Sequence, residues 1–178
     1  MIFKDYCNTE IKKKLIEDLK LKNPMEAPRM LKVVINVGAG EAVSSKGVIE
    51  KIQEQITIIS GQKTVVTLAK QSISAFKIRK GLEIGVKVTL RGDRMYAFVE
   101  KLVKVVIPRL RDFKGIAEKS VDQNGNLNIG FTEQTIFPEI EFDKIDKTRG
   151  LEVTVVTNAK NHEKGKKLFE LLGVVFKK

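Results

Sequence analysis

Glu139, Glu141 and Asp143 stand two residues apart, so an extended backbone would place their carboxylates on one face. Carboxylates grouped this way do general acid–base work or hold a divalent cation. Both uses need partners that are missing here. No His or Ser constellation accompanies the acids, and Glu133 and Asp146 only add like charge. No catalytic residue, metal ligand or cofactor is therefore assigned. The single His (His162) and single Cys (Cys7) exclude a Cys/His zinc site and an internal disulfide, and a reducing cytosol is the default setting. His162 reads as a surface or helix-capping residue. Two glycine patterns invite a nucleotide and fail. Gly38-Ala39-Gly40 has Val43 where a dinucleotide fingerprint needs its third glycine, and Ser45-Lys46-Gly47 breaks the order a phosphate loop requires. Both read as a tight strand-to-helix turn.

The cations carry more information. The chain of 178 residues has a formal net charge of +11, and the charge is uneven. Lys63 to Arg94 holds eight basic and two acidic residues, net +6; Lys101 to Lys119 and the tail from Lys160 each net +4. Glu133 to Asp146 holds five acids and one lysine, net −4. A basic middle and an acidic segment ask for two partners of opposite charge. Within Lys70 to Gly81, cations interleave with Ile73, Phe76 and Ile78. Lys and Arg suit phosphates, and a flat apolar ring suits an unstacked base. Two readings of Phe76 stand side by side: stacking on RNA, or pinning the loop to the core.

The elements that position these residues follow from periodicity. Ile11, Leu15, Ile16 and Leu19 predict a helix over 8–20, capped by Asn8 or Thr9 and broken at Asn23-Pro24. Leu31, Val33, Ile35 and Val37 predict one face of a strand. A helix over 46–60 is closed by Gly61, and a β-branched strand covers 63–68. Residues 84–91 alternate as a third strand. Asp93 is expected to cap a helix that Pro108 ends. A strand over 127–131 follows an Asn-Gly-Asn turn, the last strand covers 150–157, and a final helix over 162–172 ends at Gly173. Strands and helices do not alternate regularly, and the strand patterning leaves one sheet face wet. The expected fold is α+β: a mixed, mostly antiparallel sheet, helices on one face, the other face open for RNA. That face would carry Asn36, Thr67, Lys87, Thr89 and Arg91. One domain over 1–178 is expected, with the basic loop 69–83 and the acidic loop 133–146 protruding. The length can bury about 70% of the unfolded surface. No apolar run approaches a membrane span, and no signal peptide is read at the N-terminus.

Six segments together resemble a known family. They are Pro28-Arg29 with Val34–Ala42; Ile59–Lys63; Ala69–Arg79; Gly85–Gly92; Pro108–Gly115; and Glu133–Ile140. In order and without a large insertion, they are similar to the bacterial large-subunit ribosomal proteins that bind 5S rRNA, the L five family. The first 20 residues match in character more than in sequence. The resemblance implies a non-enzymatic, cytoplasmic constituent of the large ribosomal subunit that helps seat 5S rRNA in the central protuberance. It implies a 5S rRNA site at Asn36, Gln62, Lys63, Thr89 and Arg91. It implies a loop reaching P-site tRNA, with Lys70, Ser72, Phe76, Lys77, Arg79 and Lys80. It also implies an inter-subunit bridge to a basic small-subunit head protein through Glu133, Glu139, Glu141, Asp143 and Asp146. Large-subunit rRNA and neighbouring 5S-binding ribosomal proteins complete the implied partners. The competing readings are a generic basic RNA-binding protein, an RNA-modifying or nucleotide-dependent enzyme, and a membrane-surface module. The last needs a helix with a basic face opposite a large exposed apolar one. The helical stripes here are needed for the core.

Overall fold

The computed structural model describes residues 3–43, 47–110, 113–140 and 145–177. The chain forms two compact units: Met1–Val33, Leu90–Ile129 and Thr154–Lys178 make one, and Val34–Thr89 with Gly130–Val153 make the other. Five strands, β1 (Met30–Gly38), β2 (Val65–Leu68), β3 (Glu83–Leu90), β4 (Leu127–Phe131) and β5 (Leu151–Thr157), pair in the order β2-β3-β1-β5-β4. The fold class is α+β, as the patterning predicts.

In the unit built around Val34–Thr89, strand alternation sorts the residues cleanly. Ile35 and Val37 of β1 and Val86 and Val88 of β3 are buried, while Asn36 and Lys87 between them are exposed. Helix α3 (Val48–Ser60) lays Ile49, Ile52, Ile56 and Ile59 against this core, one stripe every three to four residues. A residual void of about 10 Å³ between Val37, Ile52, Ile56 and Leu151 shows how closely α3 sits on the sheet. Gly61 ends α3 at φ 65°, a left-handed conformation that glycine enters without a Cβ penalty. Phe131 and Phe137 meet edge to face with centroids 5.9 Å apart.

In the other unit, the first helical stretch differs from expectation. It begins at Phe3, and Asn8 and Thr9 do not cap it. A short α1 (Phe3–Tyr6) runs through a π turn (Cys7–Ile11) into α2 (Lys12–Asp18), and the Thr9 hydroxyl donates back to the Asp5 carbonyl at 2.7 Å. Ile11 and Leu15 are nonetheless buried as their spacing predicts. Leu31 is 41% exposed, and Met30 is buried at the head of β1 instead. Asp93 is not the cap of α4 (Gly92–Lys101). Arg91 occupies that place with an extended backbone, and Asp93 in the first turn pairs with Lys4 at 2.7 Å. Helix α4 continues through a second π turn (Leu102–Val106) into a 3-10 turn (Ile107–Arg109). Pro108 therefore sits inside the last turn. Its missing N–H is tolerated there, because the first residues of a turn need no donor. Helix α5 (His162–Leu171) is capped by Asn161, whose side chain accepts from the Glu163 N–H at 3.0 Å. Gly173 closes α5 at φ 97°.

Candidate nucleic-acid interface

Antiparallel pairing of β2 with β3 sets Val65 opposite Lys87 and Thr67 opposite Gly85. Paired residues point to the same side, so these four share the wet face with Thr89 and, on β1, Asn36. Gly85 is required there: a Cβ would lie 2.7 Å from the Val37 carbonyl oxygen and 2.8 Å from the Thr67 hydroxyl. The absent side chain lets Thr67 lean over β3. The face thus combines an amide, two hydroxyls and an exposed ammonium.

Gln62 is held at the edge of this face by local chemistry. The turn at Gly61 brings its N–H to the Ser60 hydroxyl, 3.3 Å away, and its side-chain nitrogen donates to the Thr89 carbonyl at 3.1 Å. Gln62 therefore ties the end of α3 to β3. Lys63 beside it is exposed. Of the five sequence-predicted residues of this site, Asn36, Gln62, Lys63 and Thr89 fall in one unit. Arg91 belongs to the other, exposed at the start of α4.

The basic loop closes on itself. At its base the Ala69 N–H donates to the Leu82 carbonyl at 2.8 Å, and the Gly81 N–H donates to the Ala69 carbonyl at 2.9 Å. Near its tip Ile73 and Ile78 exchange both backbone bonds, at 2.9 and 3.1 Å, around a 3-10 turn at Ser74–Phe76. The Ser72 hydroxyl accepts from the Lys80 N–H at 3.0 Å. Lys77 takes the left-handed conformation, φ 55°. Lys70, Lys77, Arg79 and Lys80 are all exposed. Phe76 is 70% exposed, so it does not pin the loop to a core; Ile78, half-buried, is the more enclosed of the pair.

The acidic segment is partly neutralised from within. Arg149 is buried, and its guanidinium donates to Glu41 at 2.6 Å and to both oxygens of Asp146 at 2.8 and 3.1 Å. Lys147 also pairs with Glu41 at 2.6 Å, and Lys51 lies 3.5 Å from Asp146. The Gln134 side chain donates to the Lys147 carbonyl and accepts from the Arg149 N–H. The Arg149 guanidinium holds the Asp146 carboxyl far below the usual range, and Lys147 and Arg149 lower that of Glu41. Glu133 is exposed and Glu139 half-buried. Glu141 and Asp143 lie outside the described residues. The charge of residues 133–146 alone conceals this knot, because its cations Lys147 and Arg149 lie just beyond Asp146. Extended to Arg149 that stretch gains two cations, and the net falls to −2.

No group of acidic, His or Cys side chains that could hold a metal ion occurs among the described residues. No helix among them is long and apolar enough to cross a membrane. What the fold and these surfaces define is a basic α+β protein, with a polar sheet face and a self-closed cationic loop.

Two family models match the chain: "Ribosomal protein L5" over residues 23–79, and the model of the same ribosomal family's C-terminus over residues 83–176. A protein named "Large ribosomal subunit protein uL5" from Desulfatibacillum aliphaticivorans is 53% identical over 165 residues, covering 93% of this chain and 92% of the relative. One of the same name from Syntrophotalea carbinolica is 51% identical over 175 residues, covering 98% and 95%. Another, from Thermoanaerobacter sp., is 52% identical over 169 residues, covering 95% and 94%. The chain belongs to the ribosomal protein L5 family. It is a structural constituent of the large ribosomal subunit, working in the cytoplasm, and not an enzyme.

Proposed function

We propose that the chain binds 5S rRNA through the wet face of its sheet and helps attach it to large-subunit rRNA in the central protuberance, beside neighbouring 5S-binding ribosomal proteins. The observation that carries this reading is the sorting of β1 and β3: Asn36 and Lys87 stand exposed, and Thr89 half-buried, between the buried Ile35, Val37, Val86, Val88 and Leu90. Short hydrogen-bonding side chains among cations suit phosphates and 2′-hydroxyls. Asn36, Gln62, Lys63 and Thr89 contact the RNA in this reading, Gln62 also keeping Thr89 in place, and Arg91 adds a cation one residue past β3. The loop with Lys70, Ser72, Phe76, Lys77, Arg79 and Lys80 contacts P-site tRNA, its exposed ring free to stack. Glu133, Glu139, Glu141 and Asp143 meet a basic protein of the small-subunit head, and Asp146 anchors that segment. The whole chain, 1–178, serves as one functional domain.

The test is binding of a 5S transcript against an unrelated structured RNA of similar size. Asn36→Ala and Thr89→Arg are expected to weaken 5S binding at least tenfold and to leave tRNA contact by the loop unchanged. Equal binding of both RNAs by the unaltered protein would remove the specific site. Equal loss of both activities would remove the division between sheet face and loop.

A further inference from the structure

The unit that contains the N-terminal helix holds a cavity of about 180 Å³. Its floor is apolar: Ile11, Ala27, Met30 and Leu168 are each no more than 5% exposed. Its wall includes part of the Cys7–Ile11 π turn, and such turns recur at functional sites. Lys12, Arg29 and the half-buried Tyr96 complete it. Neither cation's side chain has a hydrogen bond or ion pair among the described residues.

These features restrict the occupant. A cavity of about 150 Å³ accommodates benzene, so this one, at about 180 Å³, has room for a single aromatic ring. Two cations without a side-chain partner among the described residues select a ring that carries an anion. Tyr96 adds an aromatic side chain to the lining, of the kind on which unstacked bases settle. A nucleotide joins ring and anion in one group, whereas a peptide would have to bring them on two side chains. A chain of net charge +11 in a ribosomal protein family meets one such polymer above all. We propose that this cavity holds one unstacked pyrimidine nucleotide of ribosomal RNA, its base on the apolar floor and its phosphate between Lys12 and Arg29.

The cavity shares no residue with the sheet-face site, and a free mononucleotide reports on it whether or not that face binds 5S rRNA. Cys7 lines the cavity and is the protein's single cysteine, so thiol chemistry reads this site alone. Burial pushes its thiol up to about 11, which makes the reaction with an aromatic disulfide slow and easily followed. Saturating uridine 5′-monophosphate is expected to slow that reaction at least fivefold in the full chain. It is also expected to move the methyl signals of Met25 and Met30, which line the cavity, and to leave that of Met95 in place. Uridine or inorganic phosphate alone should need at least tenfold higher concentrations. Lys12→Glu and Arg29→Glu should each weaken the nucleotide at least tenfold with the Met95 signal unchanged. Lys14→Glu, an exposed lysine on the same helix, should not. Phosphate as effective as the nucleotide would reduce the cavity to an anion site and overturn the proposal. Failure of the nucleotide to protect Cys7 would overturn it too, as would protection by an acidic apolar peptide alone, which would make the cavity a protein-docking site.

Discussion

Arg149 is a buried cation that joins Glu41, just past β1, to Asp146, the last acid of the acidic segment, so its worth lies in the two carboxylates it bridges. Replacing it with Met would remove the guanidinium that bridges Glu41 and Asp146, leaving only Lys147 and the more distant Lys51 to offset the two carboxylates. Both keep some water contact, with side chains about a third exposed at 30% and 31%. The loss should fall below that of a fully stranded buried charge, at about 1.5–3 kcal/mol, read by urea unfolding. The same knot sets an acid limit. The Asp146 carboxyl lies below its ordinary 3.8 when folded, so the ionised form favours the native state. Its contribution is complete well above 3.8 and is lost as pH falls through that value toward the depressed one. Stability measured from pH 6 to about pH 2 should drop less steeply in Asp146→Asn than in the unaltered chain; identical slopes would show that Asp146 is not the group being protonated. Asn36 and Thr89 were legible in the sequence because strand alternation alone puts them opposite the valines. Arg149 was not, because its partner Glu41 lies 108 positions away and no local pattern joins them.

At the scale of elements, close approach decides more than propensity. Gly165 lies within α5, where Ala would ordinarily be favoured by up to about 1 kcal/mol. A Cβ there would meet the carbonyl oxygen of Gly125 at 2.6 Å and its Cα more closely still. Overpacking against backbone costs about 1–3 kcal/mol, so the steric effect wins. Gly165→Ala should lower the urea midpoint while Lys164→Ala, one residue away, does so far less. The helices show why their positions were readable and their hydrogen bonding was not. Burial of Ile11 and Leu15 follows from a stripe every three to four residues, and that stripe survives a π turn. The turn changes which carbonyl each N–H reaches, a property no hydrophobic pattern records. Asp93 failed as a cap for a related reason: a short acid near a helix start can serve the dipole from the first turn and bind a distant Lys4 instead.

For the whole molecule, charge governs association. If the chain neutralises phosphates as proposed, the logarithm of its 5S affinity should fall linearly with that of salt, at about 0.7–0.9 per phosphate contacted. Reversing Lys70, Lys77 and Lys80 to Glu should flatten that slope for tRNA, and an unchanged slope would take the loop out of the contact. The total of +11 conceals this division, since Glu41, Asp146, Lys51, Lys147 and Arg149 largely cancel within the fold.

Strand β2 ends the sheet, and Val65 and Leu68 on it are 58% and 55% exposed. An open edge carrying apolar side chains is a template on which a second copy can align. Lys63 and Lys70 flank it, and mutual repulsion between such lysines keeps like edges apart. That protection is only as long-ranged as the ionic atmosphere permits: about 10 Å in 0.1 M salt and about 3 Å in 1 M. Newly made chains awaiting RNA should therefore stay dispersed in dilute buffer and scatter light increasingly as salt is raised, with Val65→Lys abolishing the rise. An orphaned ribosomal constituent would then be kept soluble by the same lysines until assembly covers it.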